Sequence, residues 1–462
     1  MNMNRNFKKK LIPFAVVSSL AIGGLSGAFT ADAKESSKQH NAKIKNVIFL
    51  IGDGMGVSYT SAYRYLKDDP NTKLAEGTEF DKYLVGQQST YAEDPEENIT
   101  DSASSATAMS AGVKTYNAAI GVDNDKSDVK TVLESAKEQG KATGLVATSE
   151  ITHATPASFG AHDESRRNMN AIAEDYYDDL INGEHKVDVL LGGGTELFDR
   201  KDRNLIEEFQ KDGYSYASTK EELKSDNNDQ ILGLFAPRGL PKMIDRTEDI
   251  PSLEEMTNSA IERLNKDKDG FFLMVEGSQI DWAGHDNDIV GAMSEMQDFE
   301  KAFKAAIDFA KKDKHTLVIA TADHSTGGYS IGADGIYNWF PEPIKAAKRT
   351  PDFMAAEIAN GANVKETLSN YIDLELTSAE IDSVKTAAEG ELADIDHAIE
   401  EIFNQRSHTG WTTSGHTGED VNVYAFGPTR EALAGKIENT DLAKHVFSIL
   451  QNGNKEIVIE DK

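Results

Sequence analysis

Cysteine is absent from this chain of 462 residues, so no disulfide bond can stabilise it. The same absence excludes thiolate metal ligands and cysteine nucleophiles. A chain of this length buries enough apolar surface to fold without covalent cross-links. Any metal site in the protein must therefore be built without thiolate ligands.

Basic residues are scarce, since 48 Lys and Arg stand against 78 Asp and Glu and give a formal charge of −30. Nucleic acids and anionic membrane surfaces are bound through basic faces, so this balance excludes both as general partners. The charge favours solubility, but it opposes the approach of an anionic substrate. If the substrate is an anion, a local group of positive charges must attract it.

Long hydrophobic runs are also missing, except near the N-terminus. There Arg5 and three lysines at residues 8–10 precede the apolar stretch LIPFAVVSSLAIGGLSGAF, and Ala-Asp-Ala follows at residues 31–33. This order is typical of a cleaved signal peptide, and a retained membrane anchor is the alternative. We therefore predict a signal peptide over residues 1–33 and export to the periplasm, cell envelope or medium, without stable membrane insertion after cleavage.

Short apolar runs alternate with longer polar segments along the rest of the chain. The runs are residues 46–51, 142–148, 187–192, 271–276, 316–321 and 421–426, and helix-compatible segments such as 129–141 and 293–313 lie between them. This alternation predicts an α/β fold with a mostly parallel central sheet and helices on both faces. Residues 200–250 and 330–405 lack clear strand runs, so we interpret them as insertions in a single catalytic domain over residues 34–462.

Ligand-type residues follow four of the predicted strands. They are Asp53, then His153 and Thr155, then Glu276, Asp281 and His285, and finally Asp323 and His324. In open α/β sheets, ligands bind at the carboxyl ends of the strands. Carboxylates and imidazoles without a thiolate favour a metal such as zinc. The sequence therefore predicts a metal site at this edge of the sheet.

Asp101 and Ser102 stand at the start of a run of small, helix-compatible residues. Free N–H groups and the helix dipole favour an anion at a helix N-terminus, so Ser102 is a candidate nucleophile toward an anionic substrate. No Ser-His-Asp order is evident, and a metal ion can activate serine instead. The alternative is that Asp101 or Ser102 only caps the helix.

Six motifs occur in order along the chain: GDGMG, TDSASSATA, SEITHATPASFGAH, VEGSQIDWAGHDND, TADHSTGG and SGHTGEDV. Together they resemble the alkaline phosphatase family, and the resemblance extends from about residue 45 to residue 427 apart from the two insertions. It implies that small phosphate monoesters are hydrolysed through a phosphoserine, with two zinc ions and a third ion that is usually magnesium. Whether the protein is a monomer or a homodimer stays open.

The resemblance also implies roles for individual residues. The first zinc ion would be held by Asp281, His285 and His416, the second by Asp53, Asp323, His324 and Ser102, and the magnesium ion by Asp53, Thr155 and Glu276. Ser102 would take the phosphoryl group and Arg166 would bind it, with the adjacent Arg167 as the rival. Two HTG motifs compete for the last zinc ligand, and His416 is preferred to His408 because GEDV and a predicted strand follow it.

Two residues depart from one branch of the family. His153 stands where that branch has aspartate, and Trp282 stands where it has lysine, which leaves the identity of the third metal open. A phosphodiesterase or another hydrolase of the same fold is the nearest alternative, although the Ala-Ser-Ser that follows Ser102 does not fit a sulfatase. A secreted metal-binding or phosphate-binding protein without turnover is the alternative from a different class.

Overall fold

A computed structural model describes residues 44–451, so the predicted signal peptide lies outside the described residues. The strands are β1 (Asn46–Gly52), β2 (Leu84–Ser89), β3 (Ala142–Glu150), β4 (Leu180–Ile181), β5 (Glu184–His185), β6 (Val189–Gly193), β7 (Ser215–Ala217), β8 (Ile231–Leu234), β9 (Phe271–Gly277), β10 (Thr316–Thr321), β11 (Ser325–Thr326), β12 (Ser330–Ile331), β13 (Thr409–Gly410), β14 (His416–Thr417), β15 (Val421–Phe426) and β16 (Gly435–Glu438). The helices are α1 (Val57–Lys67), α2 (Ser102–Ala111), α3 (Val132–Glu138), α4 (Ala154–Gly160), α5 (Met169–Asp178), α6 (Thr195–Phe198), α7 (Leu205–Lys211), α8 (Lys220–Ser225), α9 (Leu253–Leu264), α10 (Gln279–Asp286), α11 (Ile289–Asp313), α12 (Glu342–Lys345), α13 (Pro351–Ala359), α14 (Val364–Tyr371), α15 (Ser378–Ala387), α16 (Leu392–Ser407) and α17 (Asn439–Gln451).

Ten strands form the central sheet in the order β16-β2-β15-β10-β1-β9-β3-β6-β8-β7. β1 lies between β9 and β10 and pairs in parallel with both. Within the described part of the sheet, β15 is the one strand that runs antiparallel to its neighbours, β10 and β2. The predicted α/β fold with a mostly parallel sheet is confirmed.

The sequence of β1 shows why the sheet needs a helix layer on each face. All seven residues of NVIFLIG are buried. Ile48 and Leu50 belong to a core that α9 and α11 complete. Val47, Phe49 and Ile51 belong to a second core, formed with α2, α3, α4 and α17. Because successive side chains of a strand point to opposite faces, a continuous apolar run must be covered on both sides.

The strands predicted from apolar runs are all present, as β1, β3, β6, β9, β10 and β15. Residues 200–250, which show no clear strand run in the sequence, contain β7 and β8, and these two strands extend the sheet beyond β6. These two strands have only three and four residues, so neither gives a run that stands out in the sequence. Residues 330–405 are mainly helical, from α12 to α16. The interpretation of both segments as insertions in one domain stays a prediction.

Four neighbouring parallel strands bring their carboxyl ends to one edge of the sheet. Asp53 directly follows β1, α10 follows β9, α4 follows β3, and Asp323 and His324 follow β10. β14 comes from the last part of the chain and pairs with β11, which places His416 opposite Thr326 at the same edge. No helix within residues 44–451 is long and apolar enough to cross a membrane.

Candidate active site

The first cluster consists of Asp281, His285 and His416, whose ligand-type atoms lie within 4.8 Å of one another. Asp281 and His285 are four residues apart on α10, so one helical turn places them on the same face. His285 Nε2 lies 3.3 Å from Asp281 Oδ2, and His416 Nε2 lies 3.1 Å from His285 Nε2. The fold therefore brings these three residues together, although 131 positions separate the two histidines.

Backbone carbonyls fix the orientation of both imidazoles in the first cluster. His416 Nδ1 lies 2.9 Å from the carbonyl oxygen of Thr100, and His285 Nδ1 lies 2.6 Å from that of Ser414. A carbonyl only accepts hydrogen bonds, so each Nδ1 must donate. Nε2, the other ring nitrogen, then faces the centre of the cluster in both residues, where it can bind a cation. This is the arrangement in which histidine binds a metal ion.

The second cluster consists of Asp53, Asp323 and His324, and all three side chains are fully buried. His324 Nε2 lies 3.4 Å from Asp53 Oδ1 and 3.3 Å from Asp323 Oδ2. The backbone N–H groups of Gly54 and His324 donate to Asp323 Oδ1, each over 3.0 Å. Within the described residues, both carboxylate oxygens of Asp53 and Oδ2 of Asp323 accept no hydrogen bond. Buried oxygens without partners are costly, so these atoms fit a bound cation.

The two clusters adjoin. The rings of His324 and His416 stack with their centroids 3.6 Å apart. Thr326 donates its hydroxyl to Asp281 Oδ1, and its Oγ1 also lies 3.3 Å from His324 Nδ1. One threonine therefore contacts a ligand-type residue of each cluster.

Gly54 forms the tight turn between the clusters, with φ at +67°. A Cβ atom at this position would lie 2.7 Å from Thr326 Oγ1 and 2.8 Å from Asp281 Cα. The turn thus needs glycine both for its backbone conformation and for the close approach of α10. Asp53 owes its position to this turn.

Ser102 is the first residue of α2, and Asp101 is its N-cap, which accepts a hydrogen bond from the backbone N–H of Ser104 over 2.9 Å. The capping role therefore belongs to Asp101. The Ser102 hydroxyl is directed to the second cluster instead, with Oγ 3.2 Å from His324 Nε2. Ser102 is only 1% exposed, so its side chain is almost entirely shielded from bulk solvent.

Arg166 extends its guanidinium group toward the start of α2. Nη1 donates to Asp101 Oδ2 over 3.0 Å, and Nη2 lies 3.1 Å from His153 Nε2. The backbone N–H of Arg166 also donates to the carbonyl of Ala118 over 2.8 Å. The side chain of Arg167 is exposed and forms no ion pair within the described residues, so the structure favours Arg166 of the two predicted rivals.

The third cluster consists of Asp53, Glu276 and His153. Glu276 Oε1 is buried without a hydrogen-bond partner among the described residues, and so are His153 Nδ1 and Thr155 Oγ1. The sequence places His153 among the ligand-type residues that follow the predicted strands, but the ligand sets implied by the resemblance leave it out. In the structure its imidazole is a candidate ligand of this cluster. The available signal was its position in SEITHATP, two residues before Thr155.

Trp282 and His408 do not belong to any of the three clusters. The ring of Trp282 meets the ring of His153 edge to face, with 5.7 Å between centroids. His408 ends α16 and packs against Phe340 instead. Of the two HTG histidines, the structure brings His416 to the site.

The site holds four crowded carboxyl groups and too few positive charges to balance them when they are ionised. Burial, followed by the charges of Asp323, Asp281 and Glu276, raises the pKa of Asp53 well above its usual range. Burial also raises the pKa of Glu276 to about 8 and that of Asp323 to about 6. Burial acts in the same direction on Asp281, but its hydrogen bond to His285 and the adjacent imidazoles lower its pKa. The site therefore needs added cations before all four carboxyl groups are ionised.

A fourth group of ligand-type residues, Glu134, His162 and Asp179, lies outside the site. Its cation is already present, because the fully buried ammonium of Lys186 lies 2.7 Å from Asp179 Oδ2 and 3.7 Å from Glu134 Oε1. His162 Nε2 lies 2.7 Å from Glu134 Oε1. This group is therefore a buried ion-pair network.

Comparison with known proteins agrees with the geometry. The family model described as alkaline phosphatase matches residues 44–452. "Alkaline phosphatase 3" of Bacillus subtilis (strain 168) is 70% identical, over 99% of this chain and 100% of that protein. The crystal structure of a cold-active alkaline phosphatase from a psychrophilic Shewanella species is 40% identical, with a TM-score of 0.83 over 88% of this chain and 99% of that chain. A variant of the alkaline phosphatase from the Antarctic bacterium TAB5, with magnesium bound in its M3 site, is 31% identical, with a TM-score of 0.66 over 89% of this chain and 99% of that chain. The chain therefore belongs to the alkaline phosphatase family of phosphate monoester hydrolases.

Proposed function

We propose that this protein is an exported, metal-dependent phosphatase that transfers the phosphoryl group of a monoester to Ser102 and then to water. The observation that carries the proposal is the Ser102 hydroxyl, which lies 3.2 Å from His324 at the edge of the second cluster. A nucleophile at a helix N-terminus, next to carboxylates that lack counter-charge, suits an anionic substrate only when cations are also bound.

The donor atoms support two zinc ions and one magnesium ion. Mixed imidazole and carboxylate ligands in the first and second clusters suit zinc. The oxygens of Asp53, Glu276 and Thr155 suit magnesium, and a variant of a relative in this family, with one histidine replaced by glutamate, binds magnesium in its M3 site. His153 adds a nitrogen ligand, which also makes the third site acceptable to zinc. When bound, the ions supply the positive charge that stabilises the attacking and leaving oxygens.

The side chains supply the nucleophile and the positive charge that binds and orients the phosphate. Ser102 Oγ loses its proton and forms a bond to phosphorus while the bond from phosphorus to the alcohol oxygen breaks, and the departing oxygen takes up a proton to give the alcohol. Arg166, held by Asp101 and His153, offers a planar fork of N–H donors to two phosphate oxygens. Water then breaks the bond between Ser102 Oγ and phosphorus, which regenerates the serine and releases inorganic phosphate.

The test is phosphate release from a chromogenic monoester and from the matching diester. We expect monoester hydrolysis that a chelator abolishes and that zinc with magnesium restores. Acid quenching during turnover with labelled substrate should leave the label on the peptide that contains Ser102. Faster diester hydrolysis would make the protein a phosphodiesterase, and metal binding without turnover would make it a binding protein.

Export is supported by the sequence of residues 1–33, which has the order of a cleaved signal peptide. The measurement is the N-terminal sequence of the protein recovered outside the cytoplasm. A sequence that begins after residue 33 supports the proposal. An intact N-terminus on membrane-bound protein would indicate a retained anchor instead.

A further inference from the structure

A cavity of about 460 Å³ opens beside the first cluster. Glu96, Glu97, Ile99, Asn117 and His416 are among the residues that line it. His416 therefore belongs both to the first cluster, through its Nε2, and to the lining of the cavity. The cavity is thus continuous with the site and not a separate pocket.

The position of the cavity matches the place of the leaving alcohol, an argument that rests on the proposed function. In an in-line displacement, the attacking and leaving oxygens lie on opposite sides of phosphorus. Ser102 attacks from the second cluster, so the alcohol departs on the side of the first cluster. His416 lies on that side, and the cavity beyond it is where the rest of the alcohol must extend.

Glu96 and Glu97 form the acidic wall of this cavity, and hydrogen bonds hold the segment that carries them in place. Asp94 Oδ1 accepts from the backbone N–H groups of Glu96 and Glu97, over 2.8 and 3.1 Å. Asn117 Nδ2 donates to Glu97 Oε2 over 3.3 Å and to the carbonyl of Ile99 over 3.0 Å. Asn117 also donates its backbone N–H to Asp94 Oδ2 over 3.1 Å. The segment therefore presents the two glutamates in a defined position.

The charges of the two glutamates are not compensated. Glu96 and Glu97 are exposed, and within residues 44–451 neither forms an ion pair with a lysine, arginine or histidine. Asp101, which also lines the cavity, differs because Arg166 neutralises it at 3.0 Å. Two negative charges without a counter-ion therefore line the cavity, whereas Asp101 is paired with the arginine that we propose to bind the phosphate.

We infer that Glu96 and Glu97 select substrates by the charge of the leaving group. The favoured substrates are phosphate monoesters of small alcohols that carry a fixed positive charge, followed by those of neutral alcohols. Esters whose leaving group is an anion are disfavoured, because they bring a second negative charge against the acidic wall. The phosphoryl group itself is bound equally well in all three classes.

Three probes of similar size differ mainly in leaving-group charge: phosphocholine, glycerol 3-phosphate and 3-phosphoglycerate. We expect kcat/KM to fall in that order for the metal-loaded enzyme. In Glu96→Gln/Glu97→Gln, the ratio of kcat/KM for phosphocholine to that for 3-phosphoglycerate should fall roughly tenfold, from the Coulomb energy of charges about 10 Å apart in water. The value for glycerol 3-phosphate should rise less than that for 3-phosphoglycerate, because only its phosphoryl group is repelled by the two glutamates. Salt at about 1 M should reduce the wild-type ratio by screening.

A matched control has the same change in total charge at the opposite edge of the sheet. Glu207→Gln/Glu221→Gln alters two exposed residues on α7 and α8, next to the edge strand β7, whereas the acidic wall follows β2. We expect its substrate ratio to match that of the wild type. Glu96→Gln alone avoids any loss of the Asn117 contact and should give about half of the logarithmic effect.

The outcomes separate this inference from the proposed function. If the wild type hydrolyses none of the three probes, the proposed function fails. If it hydrolyses all three but the ratio is the same in Glu96→Gln/Glu97→Gln, or shifts equally in the control, the selection by leaving-group charge is overturned. Metal content and melting temperature, measured for each variant, show whether a change in ratio arises at the cavity.

Discussion

The hydroxyl of Ser102 has a polar neighbour in the second cluster and almost no contact with solvent. We expect Ser102→Ala to retain its fold and metals but to lose at least about a thousandfold in kcat, because a nucleophile is removed while the cations remain. The measurement is steady-state turnover together with metal analysis. Ser110→Ala is the matched control on the same helix, since Ser110 Oγ donates to the carbonyl of Ser158 and not to the site. Near wild-type turnover in Ser102→Ala would exclude Ser102 as the nucleophile.

Trp282 is connected to the site through His153 and Arg166. Its ring contacts His153, which in turn lies 3.1 Å from the guanidinium of Arg166. A lysine at position 282 would bring an ammonium group toward this chain of contacts. One charge at about 6 Å with an effective dielectric of 20 contributes at most about 3 kcal/mol before desolvation is subtracted.

We therefore predict that Trp282→Lys tightens product inhibition by inorganic phosphate and lowers the maximal rate where phosphate release is limiting. Trp282→Phe removes the indole without adding charge and serves as the control. The inhibition constant for phosphate, measured at alkaline pH, gives the comparison. Equal constants in wild type and Trp282→Lys would mean that position 282 does not act on the phosphate.

Much of the site was predictable at the level of single residues. The fold brings together Asp281, His285 and His416, and separately Asp53, Asp323 and His324, as the motifs indicated. The partnership of Arg166 with Asp101 was not predictable. It depends on contacts between loops and leaves no periodic or spaced pattern in the sequence.

Among elements, the turn at Gly54 connects β1 to the site. We expect Gly54→Ala to lower zinc content and turnover, because a methyl group would collide with the backbone of α10 at Asp281. The left-handed conformation adds a cost of about 1–2 kcal/mol to the folded state. Gly140→Ala is the matched control: its φ of +72° carries the same cost, but nothing lies within 4 Å of the added methyl. Urea unfolding should show the conformational cost in both variants. Zinc stoichiometry should fall only in Gly54→Ala, where the methyl group collides with α10.

The strands differ in how easily they can be predicted from the sequence. β1, β9 and β10 are continuous apolar runs, because they are buried in the middle of the sheet. β2 has the sequence LVGQQS, and its residues are mostly exposed or half-buried. It becomes a strand through pairing with β15 and β16, which lie more than three hundred residues later in the chain. Pairing over such distances is set by the tertiary fold and not by local composition.

For the whole molecule, the metal ions and the hydrophobic cores are the expected sources of stability, since disulfide bonds are excluded. We predict that the metal-free protein melts well below the metal-loaded protein. A ligand that binds only the folded state contributes about 4 kcal/mol when its free concentration is a thousand times the dissociation constant. The comparison is of melting curves before and after chelation, with metal analysis of both samples. Identical curves after confirmed removal would contradict this prediction.

The central place of β1 has a consequence for how the chain is made. Asn46 bonds to Thr316 and to Phe271, at separations of 270 and 225 residues. The growing chain therefore carries an apolar strand with both edges unpaired until most of the protein has been synthesised. Contacts this distant in sequence form slowly, and an exposed strand of this kind associates readily with other chains. We therefore expect the newly made chain to be a substrate for chaperones that hold extended apolar segments. If the protein is exported as proposed, the same delay lengthens the time in which the unfolded chain can cross a membrane.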